Sequence, residues 1–119
     1  MKPQSDLHSI EDIPWTEIRP TDTGSKGSGV VEQILSQDPD NPDLLTRKLH
    51  FEKGFKSTET LTHPFWEEVY VLKGKLKDHL NNLICEEGYY CCRQPGMPHG
   101  PFEALEETIT FEFHYVPKD

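Results

Sequence analysis

The sequence predicts an all-β domain, a small sandwich or barrel made of two antiparallel sheets. Three observations carry that prediction. Ten prolines and eight glycines in 119 residues cut the chain into short segments. Residues 108–116 alternate with period 2, placing Ile109, Phe111, Phe113 and Tyr115 on one face and Thr108, Thr110, Glu112 and His114 on the other. No window sustains a 3.6-residue apolar period, so no helix is expected.

The segments follow in order. Residues 1–28 are polar and rich in turn formers, and read as an irregular N-terminal arm anchored by Ile13, Trp15 and Ile18. Residues 29–119 form the single folded domain. A first strand is expected at 30–35, where β-branched residues cluster. Asp38-Pro39-Asp40-Asn41-Pro42-Asp43 is a turn, and 44–52 is the next strand. Strands at 67–73, 75–80, 83–85 and 89–93 follow, with a rigid loop at Pro95-Gly96-Met97-Pro98. The last strand, 108–116, is expected to turn its apolar face inward, which sets His114 on the far side.

Charge and composition exclude several function classes. The net charge of −9, from 21 acidic and 12 basic residues, opposes binding to nucleic acid or an anionic membrane. No apolar run approaches the roughly 20 residues needed to span a bilayer. The three cysteines, Cys85, Cys91 and Cys92, form an odd set without an N-terminal signal pattern, and free thiols in the cytoplasm are the expectation. Cys91 and Cys92 are strand neighbours, so one is expected to pack and the other to face solvent.

His63 and Glu67 are four residues apart, an even spacing that returns both side chains to one face of extended chain. Pro64 argues against placing the pair on a helix. His99 follows the rigid loop. Two imidazoles and a carboxylate make a face suited to a divalent ion such as Fe, Zn, Mn or Ni, with coordination positions left open. Arg47 shares its parity with Leu45, Leu49 and Phe51; it either meets an acidic ligand or snorkels at a sheet edge. Tyr70, Tyr90, Phe102 and Phe111 are candidate cavity walls. His114 is a further candidate ligand, ranked below the first three; His50, His79 and His8 rank lower still.

Two segments resemble the paired motifs of the cupin superfamily. His63, Glu67 and Gly74 match the second half of the first motif, which runs His-x-His, three or four residues, Glu, six residues, Gly. Gly88, Gly96 and His99 stand at the spacing of the second motif. The phrase Pro-Gly-Met-Pro-His-Gly-Pro-Phe resembles the metal-binding cupin halves of anti-sigma factors and the cupins that cleave diketones. The resemblance spans about residues 44–116. It implies a jelly-roll barrel, one divalent metal held by His63, Glu67 and His99, and a homodimer.

The sequence departs from the pattern at Leu61, where the family carries its first histidine. The ligand set is then short by one, or Thr62 or Glu59 takes the place. Gln94 and Glu103 also replace the proline and asparagine of the second motif. The leading expectation is a metal-dependent enzyme, dioxygenase-like or a Lewis-acid catalyst, acting on a small carbonyl compound. The alternatives are a sensing module without turnover and a degenerate cupin without metal.

Overall fold

The computed structural model describes residues 1–18 and 29–116. Its strands are β1 (Thr16–Glu17), β2 (Val30–Gln37), β3 (Leu45–Phe51), β4 (Trp66–Lys73), β5 (Lys75–Asp78), β6 (Leu83–Glu86), β7 (Tyr90–Arg93), β8 (Phe102–Ala104) and β9 (Thr108–Tyr115). They form a six-stranded sheet, β1-β2-β3-β9-β4-β7, and a three-stranded sheet, β6-β5-β8. Every pairing is antiparallel. The described residues contain no helix, and hence none long and apolar enough to cross a membrane.

This is the all-β jelly roll expected, with two sheets facing each other rather than a closed barrel. Two short strands were not anticipated, β1 and β8. Neither has the length for a periodic pattern, and both exist because a neighbouring strand pairs with them.

Gly74 passes the chain from the large sheet to the small one at φ +99°. A Cβ there would run into the backbone of Glu107 and Thr108, so only glycine fits. Between the sheets, Ile18, Val30, Leu49, Phe51, Phe55, Leu76 and Ala104 form the apolar core, with Phe102 packed against it. Each large apolar side chain there contributes about 1.5–3 kcal/mol.

Part of the expected arm lies outside the described residues, from 19 to 28. In the described part, Ile18 is buried in the core. Gln33 donates from Nε2 to the carbonyls of Ile10 and Ile13 at 2.9 and 3.0 Å. Trp15 lies edge-on to His50 and beneath the Lys48 ammonium. Lys48 and His50 alternate with the buried Arg47 and Leu49, so these contacts lie on the outer face of the large sheet.

The last strand reverses the sequence expectation. Thr108, Thr110, Glu112 and His114 are buried, while Phe113 and Tyr115 are 44% and 37% exposed. The polar stripe faces inward because it meets buried partners of opposite charge. Arg47 stands directly across from Glu112, and Glu67 directly across from His114. Opposed residues of antiparallel strands share a face, so the register itself creates these pairs.

Candidate functional site

The site begins at a backbone bridge. Leu61 and His99 exchange both hydrogen bonds, N–H to C=O, at 2.8 and 2.9 Å. Gly96 N–H donates to the carbonyl of His63 at 2.8 Å, so the Pro95-Gly96 turn is tied to the chain entering β4. These bonds bring the His63 and His99 rings to 4.6 Å between centroids. Glu67, the second residue of β4, completes a group whose donor atoms all lie within 4.8 Å of one another.

Glu67 also belongs to a second group, with Glu112 and His114, at the same spacing. His114 Nε2 lies 2.9 Å from Glu67 Oε2 and 3.3 Å from Glu112 Oε1. Phe65 packs against both His63 and His114, with centroids at 4.7 and 4.5 Å. Two guanidiniums close the network. Arg47 reaches Glu32 at 2.8 Å and Glu112 at 3.0 Å, and Arg93 reaches Glu67 at 2.9 Å.

The electrostatics follow from burial and pairing. Burial pushes the His99 imidazole down, toward the neutral form that binds metals. His114 moves the other way: burial opposes its charge, but its hydrogen bonds to the Glu112 and Glu67 carboxylates outweigh that and lift it to about 8. Burial likewise opposes ionisation of Glu67, yet the His114 bond and charge, with His99 and Arg93, hold it well below the usual carboxylate range. Glu112 is lowered too, chiefly because Arg47 overcomes the cost of its burial. The residues fit a divalent ion: two imidazoles and a carboxylate converge, and His99 Nδ1 is buried without a hydrogen-bond partner.

A cavity of about 220 Å³ lies beside this centre, between the sheets. Arg47, Leu61, Glu67, Tyr90, His99 and Phe102 are on its wall; His63 and His114 are not among the lining residues. Tyr70 and Phe111 do not line the cavity. They stand opposite each other on the outer face of the large sheet, because each is one residue out of phase with the buried positions of its strand. Leu61 offers no metal-ligating side chain; it lines the cavity and holds His99 through its backbone. Glu59 reaches the cavity wall but is exposed, and Thr62 is exposed and off the wall. Cys91 lines the cavity, its thiol pushed up to about 11 by burial, and Cys92 faces solvent. His50 and His79 sit elsewhere, beside Glu107 and Glu103.

Sequence reasoning missed Glu32, Arg93 and Glu112, and ranked His114 low. The signal is present in the period-2 stripe Thr108, Thr110, Glu112 and His114, whose polarity taken alone points it to solvent.

No protein-family profile matches the chain, and no curated protein matches it. Solved structures do. An RmlC-like cupin from Ralstonia eutropha JMP134 has a TM-score of 0.74 at 16% identity, covering 95% of this chain and 69% of that one. KdgF from a Halomonas species has a TM-score of 0.70 at 18% identity, with 98% and 97% covered. An acetylacetone dioxygenase from Acinetobacter johnsonii has a TM-score of 0.70 at 17% identity, with 94% and 75% covered. Two facing antiparallel sheets, a cavity between them and this set of structural neighbours together give the chain the cupin fold, shared with dioxygenases among others.

Proposed function

We propose that the protein is a metal-dependent enzyme acting on a small carbonyl compound. One observation carries the reading: His63, Glu67 and His99 converge, and two of the three reach the wall of a cavity between the sheets. The ion is divalent: Fe, Zn, Mn or Ni. It supplies Lewis acidity and, if it is iron, redox chemistry. Acetylacetone dioxygenase, which shares the fold, supports a small-molecule substrate by analogy.

The chain's own residues prepare that site. Arg93 fixes one oxygen of Glu67 and His114 engages the other, so the carboxylate cannot rotate freely. Burial keeps His99 neutral, with a lone pair to give. Apolar side chains on the cavity wall, Val69 and Val71 among them, exclude water from the reacting carbonyl.

A second reading has its own support. With His114 protonated, the three acids Glu32, Glu67 and Glu112 are balanced by Arg47, Arg93 and His114, so the network is neutral without an ion. A binding module or degenerate cupin fits that balance. The sequence-based expectation of a cytoplasmic homodimer goes with either reading.

The test is metal content after incubation with Fe(II), Mn(II), Ni(II) and Zn(II). Stoichiometric metal in the wild type, lost in His63→Ala and His99→Ala, establishes the metal site on which the enzyme reading rests. Wild-type protein that stays metal-free would sink it and favour the second reading.

A further inference from the structure

Arg93 has most of its hydrogen-bonding capacity to spare. A guanidinium carries five N–H donors in a planar fork. Among the described residues, Glu67 is its only hydrogen-bond partner, through Nη1 at 2.9 Å. The side chain is only 15% exposed, and it lies on the cavity wall. No Arg93 nitrogen is both sealed from solvent and unpartnered, so its spare donors are open to solvent on a side chain that lines the cavity. The Phe102 ring lies 5.8 Å from the guanidinium carbon and backs the group.

Arg47, the other guanidinium on the wall, is committed. It binds Glu112 through Nε and Nη2 and Glu32 through Nη1. Asp78, a buried acid on the same wall, is occupied by the backbone N–H groups of Leu80 and Asn81 and by the Asn81 amide. Glu59 is exposed. The remaining wall is largely apolar, with Leu49, Phe51, Phe55 and Leu76 prominent. At about 220 Å³ the cavity is smaller than the roughly 300–1,000 Å³ of drug-sized ligand sites. It offers one cation with free donors, an apolar wall and little room.

We propose that Arg93 anchors a carboxylate, so that the ligand is a small organic acid with an apolar tail, a 2-oxo or 2-hydroxy acid rather than a neutral ketone. A carboxylate accepts two parallel N–H bonds from the guanidinium fork, which a ketone oxygen cannot match. Because Arg93 is bonded to Glu67, an acid held there carries its neighbouring oxygen toward the His63, Glu67 and His99 group. The inference rests on the proposed metal site for that last placement only; the anchor itself needs no ion.

The experiment compares 2-oxopentanoate with its neutral isostere hexane-2,3-dione, by calorimetric titration of the full chain with and without loaded Zn(II). The wild type is expected to bind the acid about tenfold or more tightly than the diketone. Arg93→Gln is expected to erase that preference and Arg93→Lys to keep part of it, with metal content and thermal melting recorded for each. Equal binding of the two probes, preference for the diketone, no binding of the acid in either state, or a preference that survives Arg93→Gln overturns the proposal. If Arg93→Gln does not fold, the wild-type comparison and Arg93→Lys decide. Preference for the acid in protein that takes up no metal upholds the anchor and removes the metal-enzyme reading; stoichiometric metal without that preference does the reverse.

Discussion

The space between the sheets is built from opposite materials at its two ends. At one end Val30, Leu49, Phe51, Phe55, Leu76 and Ala104 pack as an ordinary apolar core. At the other end β2, β3, β4 and β9 carry Glu32, Arg47, Glu67, Glu112 and His114, all buried. The change occurs within single strands: β2 goes from Val30 to Glu32, and β3 from Phe51 and Leu49 to Arg47. The apolar end gains stability from burial. The polar end has lost water from five ionisable groups and recovers that cost only while every charge keeps its partner. In β2 and β3, apolar and charged buried positions thus follow one another along a single strand.

That contrast can be broken in four ways, from the largest expected effect to the smallest. Glu112→Ala leaves Arg47 with part of its pairing gone in a buried setting, and should destabilise the protein by about 3–5 kcal/mol. Urea denaturation measures it, and a loss under 1 kcal/mol would mean that water replaces the carboxylate freely. Leu49→Ala, at the apolar end, should cost about 2–5 kcal/mol while metal content stays at the wild-type level. Metal loss in that variant would show that the two ends are not independent. His99→Ala should reverse the pattern, abolishing metal uptake while costing metal-free protein only about 1 kcal/mol. Glu107 lies outside both ends, pairing on the surface with Lys73 and His50. Its replacement by Gln should leave the melting temperature unchanged, because solvent screens an exposed pair.

The sequence made the fold legible because turns and alternation are local signals. Seven of the strands were anticipated from β-branched runs between Gly, Pro and Asn punctuation, and the two motif segments located His63, Glu67 and His99. The facing of β9 was not legible. Alternation fixes two faces but does not say which is inside, and the usual rule that apolar faces turn inward fails when the polar face finds buried counter-charges. Those counter-charges come from Arg47 and Glu67, 65 and 47 positions away for their partners Glu112 and His114, respectively. Only the sheet order, which sets β9 between β3 and β4, brings them together. Glu32 and Arg93 were missed for the same reason: each is unremarkable in its own segment and acquires a role from a neighbour across the sheet.

Phe65 adds a mechanical consequence to this arrangement. One phenyl ring, 4% exposed, lies flat against two imidazoles at once. Close-packed rings turn only if their neighbour gives way. The ring acts as a shared bearing between a histidine in the loop before β4 and a histidine on β9: neither imidazole can tilt toward Phe65 without pressing it against the other.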